Sequence, residues 1–184
     1  MKLEGDWSKL AVSPGVMTQL TALEARCRRA AVGEAAGGSG AGAQRGVHAF
    51  FAGASGTGKT LAAEILAARL GKPLHRVDLA AVVRQYIGET EKNLDRVFAA
   101  ARQADAVLLL DQADALVGRR TDVRDAHDRY ANLDINYLLQ RIEDYAGLVV
   151  LTSNDAQRID PAFLRRLRVI VQFPSPGADG RRRT

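Results

Sequence analysis

The residues GASGTGKT, positions 53–60, concentrate more potential chemistry than any other stretch of this chain. They fit the spacing G-x-x-x-x-G-K-S/T, in which glycines let successive backbone N–H groups curl toward one anion. Gly53, Gly56 and Gly58 supply the freedom, and Ala54, Ser55 and Thr57 fill the turn between them. Lys59 is placed to reach the outer phosphates of a nucleotide, and the Thr60 hydroxyl to ligate Mg²⁺. Leu61 continues into the helical run LAAEILAARL, whose positive dipole end adds to the attraction for phosphate. A second metal-side group stands at the end of AVLLLD, where Asp111 would hold Mg²⁺ through a water opposite Thr60.

The residue after that acid is Gln112. Enzymes that hydrolyse nucleotides often carry Glu there, as the base that activates water. Gln keeps nearly the same shape and can hydrogen-bond a water, but it cannot take the proton. General-base assistance contributes roughly 10²- to 10⁴-fold. Asp114 is the only other acid close by in sequence, and a continuing strand would point it away. The expected chemistry is binding of a Mg²⁺-bound nucleotide with hydrolysis slow or undetectable.

Positioning these groups requires a regular frame, and the hydrophobic pattern supplies one. HAFFAG (48–53), LHRVDL (74–79), AVLLLD (106–111), GLVVLTSN (147–154) and VIVQF (169–173) read as strands. Most lack apolar/polar alternation, which suits strands covered on both faces. Helical spacing links Leu61, Ile65, Leu66 and Leu70, then Leu94, Val97, Phe98 and Ala101, then Ala131, Ile135, Leu138 and Ile142, with Gly147 placed to end that last helix. Before them, Ser13-Pro14 offers an N-cap and a first-turn proline to a helix whose buried stripe is Val16, Leu20, Leu23 and Cys27. That helix is expected to fade into the loop GEAAGGSGAGAQRG, residues 33–46. Strands alternating with helices predict an α/β fold with a parallel sheet between helical layers. Right-handed crossovers then bring every strand's C-terminal end to one edge, where ligands bind.

Composition sets outer limits. With 184 residues, 47% hydrophobic and 26% charged, the chain has material for one sizeable core. Net charge is +5, but the arginines are dispersed, so nucleic acid is not the expected main partner. A single cysteine excludes an internal disulfide framework. The start MKLEGDWSKL does not read as a signal peptide, and the apolar runs are too short to span a membrane, so a cytoplasmic protein is expected. No Asn-Lys-x-Asp guanine reader is present, which argues against a GTPase.

FFAGASGTGKT, QYIGETEKNLDRVFAAAR, LLLDQADALVGRR, VLTSN and DPAFLRRL, in this order and spacing, resemble the AAA-plus ATPases. The stretch RTDVRDAHDRYANLDINYLLQRIEDYAG is similar to a bacterial branch, some members of which accompany contractile injection systems. The resemblance covers about residues 7–176. It implies a three-layer αβα core with five parallel strands in the order 5-1-4-3-2. The organisation expected is an N-terminal segment over 1–46, the ATPase large subdomain over 47–176, and a basic tail over 177–184 where the family's helical lid would begin. Lacking that lid, the chain is expected to bind ATP more weakly and to assemble poorly into rings.

By the same resemblance, Asn154 is the sensor of the attacking water or γ-phosphate. Arg165 and Arg166 occupy the arginine-finger position that serves a neighbouring subunit. Tyr86, Ile87 and Gly88 match the pore-loop triplet with which unfoldases of this family grip an extended polypeptide. Leu10, Ala11 and Val12 would border adenine. A homo-oligomeric ring, commonly a hexamer, acting on a polypeptide is implied, with ATP and Mg²⁺ as cofactors. Two other readings stay open: a nucleotide-gated scaffold that does not hydrolyse, and a nucleic-acid motor on the same core.

Overall fold

The computed structural model describes residues 5–35, 46–85, 90–114, 126–155 and 161–175, together with Gln157 and Ile159. Five strands form one parallel sheet: β1 (Val47–Ala52), β2 (Leu74–Asp78), β3 (Val107–Asp111), β4 (Leu148–Ser153) and β5 (Val169–Gln172). Their order, β2-β3-β4-β1-β5, is the expected one read from the opposite edge. Among the described residues, six α-helices flank the sheet: α1 (Pro14–Ala35), α2 (Lys59–Arg69), α3 (Leu79–Gln85), α4 (Thr90–Gln103), α5 (Ala126–Glu143) and the short α6 (Pro161–Leu164).

Alternate strand residues divide the interior in two. Val47, Ala49 and Phe51 of β1, with Val107 and Leu109 of β3, pack against α1 and α2. Phe50, Leu108, Leu110, Val149 and Leu151 pack instead against α3, α4 and α5. The central strands β1, β3 and β4 are buried along their whole length, which explains their nearly continuous apolar sequence. Edge strands β2 and β5 carry the exposed strand residues, such as Arg76 and Gln172. The stripe Val16, Leu20, Leu23 and Cys27 is buried as expected, and burial pushes the Cys27 thiol up to about 11, so it stays protonated at neutral pH.

Several boundaries differ from the sequence reading. Helix α1 continues through Ala35 into the expected loop, because Ala and Glu are good helix formers. The run after β2 is a helix from Leu79 onward, capped by Asp78, whose Oδ1 accepts from the N–H groups of Ala80 (2.9 Å) and Ala81 (3.2 Å). Gly147 does not end α5, which stops at Glu143. Tyr145 turns back there, and its hydroxyl donates to the Ala106 carbonyl at 2.6 Å. A Cβ on Gly147 would lie 2.7 Å from the Tyr145 ring, so the glycine serves close packing. The 118–129 connection is helical from Ala126 onward, the rest lying outside the described residues with Tyr86, Ile87, Gly88 and the 177–184 tail.

Candidate functional site

The C-terminal ends of β1, β3 and β4 open onto a cleft of about 360 Å³, floored by the glycine loop and walled by Asp111, Gln112 and Asn154. Its floor tolerates little change. Gly53 has φ +151°, and a Cβ there would sit 2.3 Å from the Phe173 carbonyl oxygen. Gly58 has φ +94°, and its Cβ would meet Leu10 Cδ1 at 2.8 Å. Gly53 is therefore required by space as well as by backbone conformation, and Gly58 chiefly by its backbone conformation. Thr57 braces the turn, its hydroxyl donating to the Ala54 carbonyl at 2.8 Å.

Lys59 enters the cleft from the first turn of α2 and is only 7% exposed. Its ammonium donates to the carbonyls of Gly53 (2.6 Å) and Ala54 (2.8 Å) and to Asn154 Oδ1 (3.1 Å). Burial lowers its pKa, partly offset by the carboxylates of Asp111 and Asp114. The contact ties the loop after β1 to the end of β4, across 95 positions of sequence. Thr60 and Leu61 line the same cleft with Ser55 and Gly56.

Asp111 is held on both oxygens. The Thr152 hydroxyl donates to Oδ1 in a very short bond, and the Gln112 N–H reaches the same oxygen at 3.2 Å. Arg76, from β2, donates to Oδ2 through Nη2 (2.6 Å) and Nε (3.1 Å). Gln112 itself sits at φ +59°, the left-handed region that few non-glycine residues occupy. The Ala113 N–H, donating to the Thr152 carbonyl at 2.8 Å, anchors the turn that follows. This backbone turn aims the Gln112 amide at Asp78, with Nε2 to Oδ2 at 3.5 Å. The acid that meets Gln112 is therefore Asp78 at the end of the neighbouring strand. Asp114, two residues further along the chain, is not the partner of the Gln112 side chain.

A second polar cluster fixes the N-terminal segment beside the cleft. Glu24 of α1 is 7% exposed and accepts from Trp7 Nε1 (3.2 Å), Arg28 Nη2 (2.9 Å) and Arg69 Nε (2.6 Å). Arg69 also donates to the Gly5 carbonyl at 3.0 Å. Burial opposes the Glu24 charge, but these three donors outweigh it and hold the carboxyl below its usual range. The clasp joins α1, α2 and residues 5–7, and Leu10, 5% exposed, is thereby laid against Gly58.

The cleft thus brings together the loop residues Ser55, Gly56, Gly58, Lys59, Thr60 and Leu61 with Asp111, Gln112 and Asn154. Arg165 and Arg166 stand apart from it, exposed just after α6, and Arg166 Nη1 faces Glu143 at 3.7 Å. Sequence reasoning missed Arg76, Asp78, Thr152 and Glu24. The available signal for Arg76 was a charged residue at the centre of the strand LHRVD.

A glycine loop between the first strand and a helix, on a five-stranded parallel sheet of this order, defines the three-layer core of the phosphate-loop nucleoside triphosphatases. Within that class, residues 49–175 match the ATPase family associated with various cellular activities (AAA), and the chain belongs to that family. An uncharacterized AAA family ATPase of Sinorhizobium fredii is 38% identical over 131 residues, covering 70% of this chain and 39% of the relative. The 26S proteasome subunit RPT4 of Saccharomyces cerevisiae is 32% identical over 136 residues, covering 70% and 31%. The proteasome-activating nucleotidase of Aeropyrum pernix is 32% identical over 136 residues, covering 70% and 33%. The chain spans roughly a third of the length of these curated relatives. Among the described residues, no helix is long and apolar enough to cross a membrane.

Proposed function

We propose that this chain is the ATP-binding core of a ring-forming protein remodeller in which Gln112 slows hydrolysis. The observation that carries the reading is the convergence of Lys59, Asp111, Gln112 and Asn154 on the cleft floored by the glycine loop. The residues fit Mg·ATP. The loop has no room for a side chain at Gly53 and a left-handed backbone at Gly58, and the facing wall offers a carboxylate and two side-chain amides. When bound, Mg²⁺ neutralises charge on the outer phosphates.

Lys59 would exchange its loop carbonyls for the outer phosphates, and Thr60 and Asp111 would hold the metal. Asn154, already hydrogen-bonded to Lys59, orients the water or the γ-phosphate. Leu10, Ala11 and Val12 border the adenine. Gln112 can hold the attacking water but cannot receive its proton, so bound ATP persists. Arg165 serves the neighbouring subunit's phosphate, since Arg166 faces Glu143. Tyr86, Ile87 and Gly88 grip polypeptide in the ring's pore, and the names of the proteasomal relatives support a polypeptide-handling ring.

A second reading, a nucleotide-gated scaffold without turnover, is favoured by one contact: the Gln112 amide donates to Asp78. A donor in that place suits its acidic neighbour better than a carboxylate would. The test is ATP binding and phosphate release, with Lys59→Ala as control. Remodelling predicts Mg·ATP binding that Lys59→Ala abolishes, and slow release of phosphate that polypeptide or ring assembly accelerates. Turnover of zero under every condition favours the scaffold, and loss of ATP binding refutes both.

A further inference from the structure

Among the described charged residues lining the cleft, Arg76 is the one for which neither the nucleotide loop nor the family roles above provide a purpose. It rises from edge strand β2, crosses to the end of β3, and lines the same cleft as the glycine loop. An ionised carboxylate has about four acceptor positions. On Asp111 they meet the Thr152 hydroxyl and the Gln112 N–H at Oδ1, and Arg76 Nε and Nη2 at Oδ2.

Those donors differ in their freedom. Thr152 is buried in central strand β4, and the Gln112 N–H belongs to a backbone tethered to β4. The Arg76 side chain is 57% exposed. A hydrated cation held by Asp111 needs an acceptor position, and Arg76 alone can yield one without disturbing the core. A displaced guanidinium does not go unpaired. The cleft it already lines is where an anionic phosphate would stand, and a guanidinium's flat fork of donors suits phosphate oxygens.

We propose that Arg76 is a phosphate ligand acting within its own subunit, exchanging Asp111 for the terminal phosphate of the bound nucleotide. The proposal rests on the nucleotide-site reading above. Arg76 then separates ATP from ADP, because only ATP brings an oxygen to that side of the cleft. It also couples the two halves of the ligand: cation on Asp111, guanidinium on phosphate.

The test is binding of fluorescent ATP and ADP analogues to the whole chain, in EDTA and across a Mg²⁺ titration. The unaltered protein is compared with Arg76→Ala and Arg76→Lys, each checked by thermal melting. Arg76→Ala should weaken ATP by about tenfold, the size of one charge-assisted hydrogen bond, while changing ADP less than about threefold. It should also lower the Mg²⁺ concentration for half-maximal effect, since Asp111 is released from its competitor. Arg76→Lys should recover part of the ATP preference. An unchanged ATP-to-ADP ratio in Arg76→Ala overturns the proposal and leaves Arg76 as a brace for Asp111. Failure of the unaltered chain to bind either nucleotide overturns the underlying site reading instead.

Discussion

Replacing Gln112 with Glu tests the assignment of the missing base most directly, and the structure sets the terms. The new carboxylate would take the place of an amide that now donates to Asp78 Oδ2 at 3.5 Å. Two negative charges at that distance repel by about 1 kcal/mol in water and about 5 kcal/mol at an effective dielectric of 20. Both residues are exposed, so the lower figure governs. A cost near 1 kcal/mol raises the new acid's pKa by less than about one unit, leaving it ionised at pH 7. The base is then competent, and turnover should rise by about 10²- to 10⁴-fold. The assay is steady-state phosphate release at saturating Mg·ATP in a ring-forming assembly, alongside equilibrium ATP binding. The added charge should also weaken ATP retention, and Asp78→Asn in the same background should restore the lost stability without removing the gain in rate. If Gln112→Glu binds ATP, assembles and still turns over no faster, the base does not act from position 112 and the reasoning fails.

Other perturbations probe the frame. Gly58→Ala meets both a left-handed backbone and Leu10 Cδ1 at 2.8 Å. It should cost about 1–3 kcal/mol and abolish nucleotide binding, with Leu10→Ala in combination recovering little, because the backbone strain remains; melting and ATP titration would read both effects. Glu24→Gln removes the charge at the centre of the N-terminal clasp and should cost about 1–3 kcal/mol at neutral pH, or several degrees in Tm. The sign with pH is fixed: the folded carboxyl lies below its ordinary 4.5, so its contribution is present above that value. The Tm gap between the two proteins should therefore shrink as pH falls through the folded value, and a gap independent of pH would deny the charge any role. Arg165→Ala should abolish ring-dependent hydrolysis while leaving ATP binding intact, whereas Arg166→Ala, which loses only an exposed pair with Glu143, should change turnover little.

Much of the frame was legible because its signals are local. The order of strands and helices follows from apolar runs that switch period, and central strands such as VLLLD announce themselves by being buried on both faces. The glycine turn between β1 and α2 was legible because its glycines fall at fixed spacing within eight consecutive residues. What escaped depends on contacts between strands that are distant in sequence. Arg76 and Asp111 are 35 positions apart, and only the parallel register, which pairs Asp78 with Asp111, puts β2 beside that carboxylate. Helix α3 escaped for another reason: seven residues are two turns, too few for a period to show, and its cap at Asp78 reads equally as a strand end.

The two polar clusters flanking the cleft are built for opposite purposes. Glu24 is shielded and bound by donors from three segments, so the N-terminal stretch and Leu10 stay against the loop whether or not a ligand arrives. Asp111 is equally saturated, yet one of its partners stands mostly in solvent on an edge strand and can leave. A site that must hold phosphate rigidly and still respond to it needs both arrangements. The fixed cluster lies on the α1 and α2 side, next to the glycine loop. The exchangeable one lies at the β2–β3 edge, beside Gln112, where a terminal phosphate would be sensed.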